Sequence, residues 1–151
     1  MIWSILKFGE HKGKTLPQVI FSDPDWFFWA VENNIFKGAL RIEAADLYSK
    51  AQRIKIPSDM SAEYAVDPST KKFASMELVS IDQPRHEGST PTFRSSVIDL
   101  SIPRQIAPYD KLGCKSMIRS VKFHLFGNER TPMTKKRCED FFNDPNKFIV
   151  T

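Results

Sequence analysis

Tyr64-Ala-Val66 and Phe73-Ala-Ser-Met-Glu-Leu-Val-Ser-Ile81, with Asp67-Pro-Ser-Thr70 between them, are the stretch on which the fold class turns. Asp, Pro and Ser are turn formers because they fix φ or bond their own backbone, so two apolar runs around them predict a β-hairpin. Its second strand alternates Met76 and Leu78 against Glu77. Downstream, residues 82–95 are polar, with Pro84, Gly88 and Pro91, and read as a long exposed loop. Val97 to Ile102 then sets Ile98, Leu100 and Ile102 against Asp99 and Ser101, the alternation of a half-buried strand.

On both sides of this block the period becomes helical. Upstream, Ile2 to Phe8 predicts a short strand and Gly9-Glu-His-Lys-Gly13 a turn. Thr15 with Gln18 three residues on forms a capping box, and Pro17 is tolerated where no intrahelical donor is needed. Asp23 then caps a helix with Pro24 at its first position, carrying Trp26, Trp29 and Ala30 and closed by Asn33-Asn34. A third helix follows Gly38, with Leu40, Ala44, Leu47, Ala51 and Ile54 on one face. Downstream, Asp110 caps a helix running to about Phe126, with Cys114, Met117, Ile118, Val121 and Leu125 as its core stripe and Gly127 as its stop. Thr131-Pro132 opens a last helix with Cys138, Phe141 and Phe142, stopped by Asn143-Asp-Pro145. The expected class is α+β, a small antiparallel sheet with helices packed at both chain ends. One domain over 1–151 is expected, in three parts: a strand-turn-helix part to residue 57, the hairpin and loop over 58–103, and a basic helical part over 104–151.

Composition bounds the function. The chain has 151 residues, 41% hydrophobic, with 12 Phe, 3 Trp and 3 Tyr, enough apolar surface for a real core and too much for a disordered tail. Its two cysteines, Cys114 and Cys138, exclude a disulfide scaffold and fit a reducing, cytoplasmic setting, and no Cys-x-x-Cys zinc or redox motif exists. No uncharged apolar run is long enough to span a membrane, and Met1-Ile-Trp-Ser-Ile-Leu-Lys7 places its charge after the apolar run, the reverse of a secretory signal. The net charge is +4 and unevenly distributed: residues 101–151 carry 10 basic against 5 acidic side chains. Such asymmetry is an argument about anionic partners.

Gly13-Lys14-Thr15 has the ending of a phosphate loop, but only three residues separate Gly9 from Gly13 where that loop needs four. The pattern Phe8-Gly9-x-x-Lys12-Gly13-Lys14-Thr15-Leu16, followed by Asp23-Pro24-x-Trp26-x-x-Trp29-Ala30, instead resembles the small module at the C-terminal end of exodeoxyribonuclease X-like proteins, found alone in phage and prophage proteins. The resemblance covers about residues 5–34 and implies work on DNA without the nuclease domain, so exonuclease activity does not carry over. It implies a basic turn, Lys12 and Lys14 held by Gly9 and Gly13, with Trp26 and Trp29 behind it. Paired tryptophans at helical spacing fit a packed core better than base-stacking platforms.

The stronger signal is Lys111, Lys115, Arg119 and Lys122, spaced four, four and three apart on one face of the predicted helix with no acid interrupting it. The row is about 16 Å long and could meet several phosphates of a strand. Lys135, Lys136 and Arg137 sit near the start of the last helix, where the dipole disfavours cations and a phosphate would be welcome. The two helices, joined through Gly127-Asn-Glu-Arg130, admit a helix-turn-helix reading, although the second is short and lacks a base-reading row.

The expected function is a nucleic-acid-binding accessory protein of phage or mobile-element type, with DNA favoured over RNA as partner and no cofactor. A protein-binding inhibitor or adaptor on a host nucleic-acid-processing enzyme is the alternative, because an acidic protein face asks for the same lysines. An enzymatic option is a metal-dependent nuclease built from Asp82, His86, Glu87 and Asp99 around the long loop. His124 reads as packing, and both cysteines as small core hydrophobes.

Overall fold

The computed structural model describes residues 1–67, 69–84 and 91–150. Six α-helices and two antiparallel sheets form an α+β fold: α1 Leu16–Ser22, α2 Pro24–Glu32, α3 Ala39–Lys50, β1 Ile54–Lys55, β2 Met60–Val66, β3 Phe73–Ser80, β4 Thr92–Ser95, β5 Val97–Ile98, α4 Ile102–Ile106, α5 Lys111–Phe126 and α6 Lys135–Asn143. One sheet has the order β3-β2-β4 and the other pairs β1 with β5.

The hairpin forms where the sequence places it, with Tyr64 opposite Met76 and Met60 opposite Ser80, and a register shift between Ala65 and Val66. Met76 is buried and Glu77 exposed, as the alternation requires. Tyr64 is fully buried and joins the two sheets: its ring stacks on Phe93 of β4 at 5.0 Å, and its hydroxyl accepts the Asp99 N–H beyond β5. Burial pushes the phenol up to about 12.

The caps follow the sequence. Asp23 Oδ1 accepts the Trp26 N–H at 3.1 Å, Asp110 Oδ1 accepts the Gly113 N–H at 2.8 Å, and Gly127 closes α5 at φ +80°. Gln18 Oε1 accepts the Thr15 N–H at 3.2 Å, the backbone half of the capping box.

Several expectations are corrected. Ile2–Phe8 is not a regular strand: it makes one bridge, Ile5 to Thr15, and its Ser4 N–H goes to the Glu43 carboxylate and not to a neighbouring strand. Ile54 leaves the third helix, which stops at Lys50, and is buried in β1 opposite Ile98. The supposed loop contains β4, whose polar sequence pairs with β2 and whose Arg94 donates to Glu63 at 2.7 Å. The strand expected over 97–102 is two residues long, because Asp99 turns the chain by accepting from Ser101 N–H and Oγ, and Ile102 opens α4 with Pro103 in its first turn. The last helix starts at Lys135, capped by Thr134, and not at Thr131-Pro132.

One hydrophobic core includes Trp3 and Leu6, all three N-terminal helices, both sheets, and the last helices through Phe148. The chain ends meet: Trp3 Nε1 donates to Asn143 Oδ1 at 3.1 Å, and Phe148 bridges to Ile54. Glu43 is buried and accepts from Ser4 N–H and Oγ at 2.6 and 2.7 Å, tying the N-terminal segment to α3.

Candidate nucleic-acid interface

The turn before α1 is a closed bracket. Leu6 N–H bonds Lys14 C=O and Gly13 N–H bonds Leu6 C=O, both at 2.8 Å, while Lys12 and Lys14 N–H bond Gly9 and His11 C=O. Closing it needs positive φ at Gly9 (+75°) and Gly13 (+91°), which glycine supplies without a Cβ penalty. Lys12 and Lys14 are exposed on it, and His11 is buried.

His11 Nε2 lies 2.9 Å from Asp23 Oδ2, and its ring meets the edge of Trp26 at 4.9 Å. Trp26 also packs on Phe36 and belongs to the core margin, whereas Trp29 is 40% exposed, so only one of the two tryptophans is held as expected.

The turn, the α1–α2 junction, α4 and the start of α5 enclose a cleft of about 530 Å³. Lys14 lines it from one end of the sequence, Lys111 and Lys115 from the other. Its floor is Ala107, Pro108, Cys114 and Ile118. Arg104 also faces it but is occupied, donating to Asp25 at 2.9 Å and Glu32 at 3.1 Å, a clamp of α4 on α2. Among the described residues, Lys14, Lys111 and Lys115 have no such acidic partner, so their charge is available to a ligand.

Arg119 and Lys122 continue the row along α5 beyond the cleft, Arg119 exposed and Lys122 half-buried. Lys12 is exposed but does not line the cleft. Lys135, Lys136 and Arg137 lie in the exposed first turn of α6, and the latter two line a separate concavity of about 480 Å³ with Asp140, Asp144 and Lys147. These two are partly spent: Lys136 pairs with Asp140 at 2.7 Å, and Arg137 donates to Pro132 C=O. Residues 127–134 separate α5 from α6, longer than the three- or four-residue turn of a helix-turn-helix, which this pair therefore is not.

Of the four residues of the nuclease option, Asp99 accepts from Ser101 N–H and Oγ through Oδ1, Asp82 is exposed at a turn, and His86 and Glu87 lie outside the described residues. The cysteines are free and buried, and burial, helped by nearby carboxylates, raises Cys114 to about 11; burial raises Cys138 to about 12, so neither presents a thiolate. Among the described residues no helix is long and apolar enough to cross a membrane.

Sequence reasoning missed Arg104 and the pairing of His11 with Asp23. Arg104 lies in a five-residue helix that no sequence period announces, and twelve residues separate the other two; only the proximity of Asp23, as a helix cap, to the turn could have suggested the contact. Compared with protein-family models, with curated proteins and with solved structures, the chain finds no match, so the resemblance to the exodeoxyribonuclease X-associated module rests on the motif of residues 5–34.

Proposed function

We propose that this protein is a nucleic-acid-binding accessory protein that holds phosphates along a basic surface running from the Lys14 turn through the cleft and down the exposed face of α5. The observation that carries this reading is the convergence of Lys14 with Lys111 and Lys115 on one cleft, none of them paired with a carboxylate among the described residues. Like charges three and four residues apart on a helix repel by a few tenths of a kcal/mol per pair, a cost that phosphates would reverse. The module resemblance favours DNA over RNA and a phage or mobile-element setting.

Lys115 and Arg119 are exposed, so Lys115→Glu with Arg119→Glu should leave the melting temperature nearly unchanged. The double variant should lose retention on DNA at low salt, measured by mobility shift of single- and double-stranded oligonucleotides. Undiminished binding by a folded double variant overturns the reading.

A second reading, an adaptor on an acidic protein face, has its own observation: Leu112 and Phe123 are 78% and 53% exposed on the same helix as the lysines. Salt separates the two. Binding through Z phosphates falls linearly in log–log form with a slope near −0.9Z on duplex DNA, whereas an interface with an apolar centre depends less on salt.

A further inference from the structure

We propose that Glu10, His11 and Asp23 form a binding site for one divalent transition-metal ion at the rim of the basic cleft. One donor atom from each residue, an imidazole nitrogen and two carboxylate oxygens, lies within 4.8 Å of the others. Nε2 of His11 is 2.9 Å from Asp23 Oδ2 and 3.9 Å from Glu10 Oε1. Two ligands held about 2.1 Å from a tetrahedral metal stand about 3.4 Å apart, a value these separations bracket. Shifts of about half an ångström would bring both carboxylate oxygens to that distance from Nε2, and the exposed Glu10 side chain can swing to close the third edge.

The support around these atoms is that of a held site. Asp23 Oδ1 is fixed by the Trp26 N–H, which leaves Oδ2 to face the imidazole. His11 is 8% exposed, carried on the closed backbone bracket and braced by the Trp26 edge. Its Nε2 lies at hydrogen-bond distance from the Asp23 carboxylate, which only accepts and so holds the ring proton on Nε2, while Nδ1 is buried without a partner. An ion bound between the carboxylates would take the Nε2 lone pair and move that proton to Nδ1. Glu10 is exposed and free to close from solvent.

The chemistry selects the ion class. One imidazole and two carboxylates suit Zn²⁺, Mn²⁺ or Co²⁺, and their two negative charges match a divalent cation. Three protein ligands leave coordination positions open. Because His11, Asp23 and Lys14 share the cleft, an anionic ligand there could reach both the metal and the lysine.

The test uses the full chain and the metal alone. Zn²⁺ and, separately, Mn²⁺ are titrated by calorimetry, and Zn²⁺ also by NMR of the imidazole nitrogens, which separates His11 from His86 and His124. One equivalent should bind with the shift at His11. Glu10→Gln, which alters only an exposed side chain, should weaken binding at least on the order of tenfold, since even the loss of a group that merely supports a ligand costs that much. Asp23→Asn should do the same while keeping a competent helix cap. Melting of each variant without metal verifies its fold. Absence of binding, a shift at His86 or His124 without one at His11, or parental affinity in both folded variants overturns the site. The inference is independent of nucleic-acid binding: retention on DNA in the presence of a chelator, with no metal bound by the free protein, would sink this proposal and leave the other standing.

Discussion

Gly13 sits at φ +91°, and a Cβ built there would meet nothing within 4 Å, so any cost of a side chain is conformational and not steric crowding by neighbours. Gly13→Val should lower stability by about 1–3 kcal/mol, read by urea or thermal unfolding, because a β-branched residue is held in the left-handed region. Lys14, next to it, is exposed and pairs with no described acid. Lys14→Ala should leave the melting temperature unchanged but weaken DNA association and reduce the salt slope by about one. The two variants separate what the turn needs to exist from what it offers a ligand. The positive-φ turn and the exposed lysine beside it were legible in the sequence, since glycine spacing and lysine placement are local properties.

In α5 the usual rule for a helical glycine reverses. Gly→Ala in a helix interior ordinarily gains about 1 kcal/mol, but a Cβ on Gly113 would collide with the carboxylate of Asp110. That carboxylate caps α5 through Gly113 N–H and also accepts the Phe73 N–H of β3 at 3.3 Å. Gly113→Ala should therefore destabilise the fold, with the loss seen as a lower melting temperature and faster hydrogen exchange at Phe73. At the other end of the same helix, burial lowers the pKa of His124 from its ordinary value of 6.5, against the raising effects of the Met76 backbone and Glu77. The unfolded chain then binds a proton that the folded chain resists. The stability contributed by neutral His124 is complete above about pH 6.5 and is lost as pH falls through the depressed folded value. His124→Gln should flatten this part of the stability–pH curve, measured by denaturant midpoints from pH 7.5 downward. Helix α5 was readable from its cap, stripe and glycine stop. Its docking on β3 was not, because strand faces are chosen by packing and not by local propensity.

Across the whole molecule, the two chain ends close one core. Phe148 is 2% exposed, stacks on Phe142 at 5.5 Å, meets Phe141 edge-on, and bridges Ile54 beside β1. Lys50 covers its ring and donates to Phe142 C=O, so α3, β1 and α6 share this contact. Phe148→Ala should cost about 3–5 kcal/mol, a full core truncation despite lying three residues from the end of the chain. The checking measurement is the urea midpoint, with Trp3 fluorescence reporting whether the junction at Asn143 opens with it.

The sequence alone determined the α+β class, the hairpin, the caps at Asp23 and Asp110, the glycine turn and the basic row of α5, because each is encoded within a few residues by period, cap chemistry or φ preference. Only the tertiary structure decided three other matters. It made strands of Ile54-Lys55 and Thr92–Ser95, whose hydrogen-bond partners lie far along the chain and whose local sequences do not prescribe pairing. It engaged Arg104 with Asp25 and Glu32, more than seventy residues away, because whether a charge is neutralised depends on which groups packing brings within reach. And it set Lys14 beside Lys111 and Lys115, with His11 on Asp23 at the same cleft, an arrangement made by closing the first turn onto helices nearly a hundred residues away.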